Sequence, residues 1–166
     1  MLYRPVRRKD REVSDLSWME SVLDRALACH LSLFDGEWPY VIPLTFGYEP
    51  GHIYFHSAKE GKKIDIIRSN PKASFCVEVD AVPFPNPKGR SGLLLPYKSV
   101  VGYGHVSVVP DDEEDRKRHG LAVLAAHYCR QGVDIPRPRA LLDKVAVLDL
   151  EIVHMTGKQK GPFIER

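Results

Sequence analysis

The chain is poor in the features that assign a protein quickly. Among its 166 residues are three cysteines, Cys29, Cys76 and Cys129, far apart and never in CxxC spacing. An odd, scattered set argues against a disulfide framework and a zinc site, and for reduced thiols. No apolar run approaches the ~20 residues of a membrane helix. The N-terminus is charged and lacks the apolar core of a signal peptide, so a cytoplasmic location is expected. Charge of one sign is also missing: 24 Lys and Arg face 22 Asp and Glu, a net charge of +2. A nucleic-acid binder carries a broad basic face. Here the basic cluster Arg4, Arg7, Arg8, Lys9 and Arg11 is local, and reads as a solvated arm or a partner-docking segment. No GxGxxG follows a strand, which leaves a Rossmann nicotinamide site unsupported, and no GxSxG elbow surrounds a serine. His52 and His56 would lie on one face of a strand ~13 Å apart, too far to share a metal.

What is present is an ordinary globular composition, 43% hydrophobic and 28% charged, long enough for one domain over residues 1–166 with its own core. Residues 1–13 read as an exposed arm. Ser14 or Asp15 can cap a first helix whose apolar face is Leu16, Met19, Leu23, Ala26 and Leu27. Cys29–Phe34 and Pro39–Tyr48 read as a hairpin across Asp35-Gly36. Pro43 cannot donate to a ladder, so it marks an edge or a bulge. Ile53–Ser57, a helix over Lys62–Ser69 and a strand over Ala73–Val79 follow. Residues 80–97, with Pro83, Pro85, Pro87 and Pro96, read as a long loop. Then come a strand over Ser99–Val109, a helix started by Asp111-Asp112-Glu113-Glu114, a loop over Gln131–Arg139, and a last strand over Val145–Met155. On the third helix Leu121, Leu124, Ala125 and Tyr128 form the buried stripe, and His119 and His127 read as surface groups. Helices are too few for repeating βαβ units, so the expected fold is a mainly antiparallel sheet closed into a small six-stranded barrel.

The chemistry concentrates between Pro39 and Val79. A strand ending in His56-Ser57-Ala58 runs through Lys59-Glu60-Gly61-Lys62-Lys63 into a helix that stops at Asn70-Pro71. Free backbone N–H groups and the positive end of the helix dipole suit an anion there, most often a phosphate. Lys63 supplies a cation in the first turn; its alternative is a solvated helix-start lysine. Lys62 is the weaker neighbour. For His56 the alternative is a core-edge histidine bonded to backbone, and for Ile42–Thr45 plain strand packing.

This block resembles the flavin-binding split-barrel proteins related to pyridoxamine 5′-phosphate oxidase, and within them the nitroimidazole-resistance (Nim-like) branch. The matching residues are Pro39-Tyr40-Val41-Ile42-Pro43-Leu44, Ile53-Tyr54-Phe55-His56-Ser57-Ala58, Gly61-Lys62-Lys63-Ile64-Asp65 and Asn70-Pro71. Further landmarks are Tyr97-Lys98-Ser99-Val100-Val101-Gly102-Tyr103-Gly104 and Thr156-Gly157-Lys158, with Arg7-Arg8-Lys9-Asp10-Arg11 also similar. The resemblance implies a Greek-key split barrel that binds FMN between two subunits of a homodimer. It places the flavin phosphate on Lys63, seven positions before the Asn-Pro stop, with Lys62 beside it. It puts Ile42, Pro43, Leu44 and Thr45 along the ring system, with Ser57 and the Ala58 backbone as donors to phosphate or ribityl oxygens. Tyr97, Ser99 and Val100 would come from the opposite subunit. His56 would lie beside the flavin near a small-molecule substrate, the one candidate catalytic side chain, able to deliver a proton. The implied activity is electron transfer from reduced flavin to a small electron-poor acceptor such as a nitroaromatic. A non-enzymatic flavin-binding or sensing module, or a split barrel holding haem (on His56, His105 or His154) or a deazaflavin, remain as alternatives. No nucleic acid, membrane or metal enters the expected function.

Overall fold

The computed structural model describes residues 6–86, 92–130 and 144–161. A 3-10 turn at Lys9–Arg11 leads to β1 (Glu12–Val13), α1 (Leu16–Arg25), β2 (Cys29–Phe34), β3 (Pro39–Leu44), β4 (Phe46–Glu49), β5 (His52–Ser57) and α2 (Lys62–Ser69). Then follow β6 (Lys72–Val79), β7 (Phe84–Pro85), β8 (Leu93–Leu94), β9 (Tyr97–Val108), α3 (Glu114–Arg130) and β10 (Ala146–Lys160). The main sheet runs β3-β2-β6-β9-β10-β5-β4, every pairing antiparallel. Its first and last members are neighbours in sequence, separated by Thr45 alone. The segment expected as one strand is thus bent at Thr45: β3 pairs with β2, and β4 pairs with β5. The sheet curls back onto itself as a split antiparallel barrel. With β3–β4 counted as one bent strand, six long strands build it, as the sequence suggests.

Pro43 lies on an edge and not in a bulge. The β2–β3 ladder keeps one register from Cys29↔Leu44 to Phe34↔Pro39, with Pro43 opposite His30. The other side of β3 has no strand partner among the described residues, which is where a residue without an N–H can sit. The hairpin turn is built by Asp35. Its carboxylate accepts from the N–H groups of Glu37 (2.9 Å) and Trp38 (2.6 Å), and Gly36 takes the positive φ of 101° that the turn requires.

Inside, Phe46, Phe55, Phe75, Leu31, Ile53, Ile64, Leu148, Leu150 and Val100 are fully buried. Asp15 caps α1, accepting from the Trp18 N–H at 2.7 Å. The helix buries Met19, Val22 and Leu23 with Ala26 after it, while Leu16 and Leu27 are exposed. The actual stripe includes Val22 in their place, because the helix ends at Arg25 and Leu27 lies beyond it. The arm is tied down at its end, since Glu12 and Val13 pair with Lys158 and Gly157 of β10. β10 itself runs five residues past the expected Met155. Phe84–Pro85 pairs with Leu93–Leu94 inside the segment read as loop; residues 87–91 and the loop expected over 131–139 lie outside the described residues.

α3 packs across β4 and β5. Leu124 and Ala125 of the expected stripe are buried, together with His127, which is 3% exposed. His127 is therefore a core group and not a surface one: its Nε2 lies 2.8 Å from the Ala26 carbonyl and its ring 4.6 Å from that of Phe46. The close approach needs Gly47, where an added Cβ would meet the Leu124 Cα at 2.5 Å. Gly47→Ala should push α3 off the sheet and cost about 1–3 kcal/mol, in the range of core overpacking. A denaturant midpoint lowered at unchanged slope is the expected reading; an unchanged midpoint would contradict the contact.

Candidate functional site

At the bend β3 and β4 part toward the two ends of the sheet path, and the edge of β3 without a strand partner among the described residues, facing the β5–α2 connection, is taken as the candidate cleft. One end of the cleft is closed by Thr45 and His56, with Thr45 Oγ1 3.5 Å from His56 Nδ1. The other end is closed by Lys62 in the first turn of α2. Its ammonium lies 2.7 Å from Asp35 Oδ2 and 5.3 Å from the centre of the Tyr40 ring. Most of the block singled out in sequence, Ile42–Thr45, His56–Ala58 and Lys62–Lys63, is thereby gathered around one opening.

Individual roles differ from residue to residue. Ile42 and Leu44 turn their side chains toward the core and pack against it, so only their backbone reaches the open edge. Pro43 and Thr45 are exposed. His56 is exposed, Ser57 is buried opposite Ala146, and Ala58 is exposed. Nothing in the geometry puts His105 or His154 with His56: they lie on β9 and β10, paired with Glu151 and Tyr103.

The two lysines are not equivalent. Lys62 is exposed and already paired. Asp35, hydrogen-bonded to Lys62 first of all and to the Trp38 and Glu37 N–H groups, is held well below the usual carboxylate range. Lys63 is half-buried and no carboxylate pairs with it among the described residues; burial alone pulls its pKa down. A desolvated ammonium without a counter-ion favours an incoming anion. It stands at the start of α2, whose N-cap is Gly61 at φ 112° with no side chain capping the helix. The Ile64 N–H already reaches the Gly61 carbonyl at 2.8 Å, which leaves those of Lys62 and Lys63 to other acceptors.

Tyr97, Ser99 and Val100 are not part of this cleft within one chain. His56 pairs with Val147, and the next residue, Leu148, pairs with Val108. Ser99 and Tyr97 lie at the opposite end of β9, roughly 30 Å away along the strand at ~3.3 Å per residue. Tyr97 and Ser99 are half-buried. Val100 is wholly buried in the chain's own core, between Val77 and Gly157, so its side chain reaches no cleft. The Thr156-Gly157-Lys158 landmark acquires an atomic role here. A Cβ on Gly157 would meet the Trp18 ring and the Val13 carbonyl oxygen, each at 2.7 Å, so the glycine lets α1 and β1 close over β10. Lys158 lies 5.9 Å from the centre of the Tyr97 ring.

Sequence reasoning missed the groups joined only by folding. Asp35 belongs to the expected turn and Tyr40 to the matching run, but neither carries a sign that it holds Lys62. The buried carboxylate of Asp149 carries no motif, and receives His52 Nδ1 and Arg116 Nη2 at 2.8 Å each from partners 97 and 33 residues away. Lys117 and Lys59 both hold Asp111, drawing its pKa down to about 2, while α3 itself begins at Glu114. No group of three or more metal-ligating side chains occurs among the described residues. No described helix is long and apolar enough to cross a membrane. A cavity of about 440 Å³ lies toward the other end of α2, where Lys59, Ile67, Arg68 and Asp111 line it; His56, Lys62 and Lys63 do not.

A family model described as pyridoxamine 5′-phosphate oxidase matches residues 17–159. No curated protein matches. Among solved structures, one from Bacteroides thetaiotaomicron, provisionally described as a 5-nitroimidazole antibiotic resistance protein, is 27% identical, with a TM-score of 0.76 over 89% of this chain and 86% of that one. An FAD-binding protein from Mesorhizobium loti is 25% identical, with a TM-score of 0.65 over 91% of this chain and 98% of that one. The flavocytochrome Anf3 from Azotobacter vinelandii, 16% identical with a TM-score of 0.73 over 98% of this chain and 76% of that one, shares the fold. With the family match spanning most of its length and the split barrel common to these structures, the chain belongs to the pyridoxamine 5′-phosphate oxidase family.

Proposed function

We propose that the protein binds FMN in the cleft at Thr45 and, as a homodimer, passes electrons from the reduced flavin to a small electron-poor organic acceptor such as a nitroaromatic. The observation that carries this reading is Lys63: a half-buried lysine with burial against it and no carboxylate partner among the described residues, at the uncapped start of α2. A phosphate monoester supplies the missing charge and accepts the free N–H groups. The choice of acceptor rests on the Bacteroides structure described as a nitroimidazole resistance protein, and the choice of a flavin also on the Mesorhizobium FAD-binding protein.

The flavin supplies the redox chemistry when bound. The chain's part is to hold and orient it. Lys63 and the α2 N–H groups take the phosphate. The edge of β3 that faces away from β2 offers backbone groups to the polar rim of the ring system. His56, exposed beside Thr45, is the group placed to hand a proton to the acceptor. The same reading keeps the protein in the cytoplasm, with Cys29, Cys76 and Cys129 as free thiols.

A second copy would supply the other wall. The outward face of the sheet is continuous and in part apolar: His30, Cys76, Val101 and Thr156 lie in one cross-strand row. Val101, Tyr103, Val41 and Phe34 are exposed on strands β9, β3 and β2. Pairing two such faces would hide them and could bring Tyr97 and Ser99 of one copy to the cleft of the other.

Three measurements test these points. Titration with both flavins should show FMN bound more tightly than FAD, because the site has one compact phosphate position and no glycine-rich loop for a pyrophosphate; equal or reversed affinities refute the assignment. Lys63→Met should leave the fold intact and weaken FMN binding roughly ten- to a hundredfold, the worth of a charge-assisted hydrogen bond of about 1.5–3 kcal/mol. Unchanged affinity would remove Lys63 from the phosphate site. Sedimentation at micromolar concentration should give about twice the 18.8 kDa chain mass, whereas a monomer binding flavin stoichiometrically would overturn the shared site.

A further inference from the structure

The resemblance assigns two lysines to the anion at the start of α2, but the structure engages one of them elsewhere. Lys62 Nζ is 2.7 Å from Asp35 Oδ2 and sits over the Tyr40 ring. The second oxygen of Asp35 is occupied as well, accepting from the Glu37 and Trp38 N–H groups. Asp35 is therefore fixed by its own turn and cannot follow Lys62 toward a ligand without breaking that turn. Lys63, the next residue, has no such carboxylate among the described residues.

We propose that Asp35 is a specificity-determining residue of the anion site: it holds Lys62 on the β2–β3 turn, so that the phosphate meets a single cation, Lys63, and the α2 N–H groups. The assignment rests on the reading that this site takes the flavin phosphate. Asp35 touches no ligand in this arrangement. It acts through Lys62, by subtracting one positive charge from the site and by tying the hairpin to the helix start. These two effects separate experimentally, since Asn at position 35 keeps the side-chain oxygen that the Glu37 and Trp38 N–H groups use and removes only the charge.

The test compares FMN with riboflavin, which lacks the phosphate, by quenching of flavin fluorescence. Asp35→Asn should free Lys62 and tighten FMN by about two- to tenfold, the range for an exposed to partly buried charge contact, with riboflavin unchanged. Lys62→Met should leave FMN affinity within about twofold of the parent. Either of two outcomes overturns the proposal: Lys62→Met losing as much FMN affinity as Lys63→Met, or Asp35→Asn leaving FMN unchanged or weakening both flavins alike. Inorganic phosphate titrated against the backbone amide signals of Gly61, Lys62 and Lys63 repeats the comparison without flavin. If the parent protein binds neither flavin, yet phosphate moves these signals and binds more tightly to Asp35→Asn, the flavin reading fails and the role of Asp35 stands. Phosphate that moves none of them in any variant refutes that role.

Discussion

One strand has to satisfy two neighbours. The segment from Pro39 to Glu49 pairs first with β2 and then with β5, so that its two halves become the two ends of the sheet path. The change of partner is possible only by a bend, and the bend falls at Thr45. From there the two halves of the barrel diverge, and β3 keeps an unpaired edge that Pro43 tolerates. The cleft, its backbone donors and acceptors, and the approach of α2 to the β2–β3 turn all follow from that one departure from regular pairing.

Charge is distributed to match. Most described lysines near the site have a carboxylate within reach: Lys62 has Asp35, and Lys59 and Lys117 share Asp111. Exposed pairs of this kind contribute at most about 1 kcal/mol each, so they serve placement more than stability. Lys63 differs in being partly desolvated with no carboxylate opposite it among the described residues. Such a group is mildly unfavourable in the isolated chain and favourable once an anion arrives. That asymmetry between neighbouring residues is not contained in the sequence Lys62-Lys63 by itself.

The sequence was informative where local chemistry decides the outcome. The hairpin across Asp35-Gly36 and α2 from Lys62 to Ser69 follow from turn chemistry and apolar spacing, and the missing N–H confines Pro43 to an edge or a bulge, all within a few residues. It was uninformative where a distant element decides. Leu16 and Leu27 fit the apolar spacing of α1 but lie at or beyond its ends and stay exposed, while Val22 is buried. His127 resembles a surface histidine until Ala26 and Phe46 are brought against it. The strand break at Thr45 is invisible to periodicity, because β3 and β4 are each regular; only the change of pairing partner defines it. The family resemblance singled out the block from Pro39 to Asn70, but could not say that Val100 faces inward or that Asp35 holds Lys62.

β9 shows how little of such a site one chain can contain. Its inward positions include Val100 and Val106, which fill the core, and Gly102 and Gly104, which make room: a Cβ on Gly102 would meet the Phe75 ring at 2.3 Å, and one on Gly104 the Glu151 carbonyl oxygen at 2.1 Å. From Val100 to Val106 the inward face is thus committed to packing. Its outward face carries Ser99, Val101, Tyr103 and His105, half-buried to exposed in the single chain. A strand whose inner side is closed by glycines can offer ligand contacts only from its ends or its outer side. For the residues at the Tyr97 end, both routes lead away from the chain's own cleft. If they take part in binding, they do so for a neighbouring copy, and the outer sheet face is then an interface because the inner one has no room left.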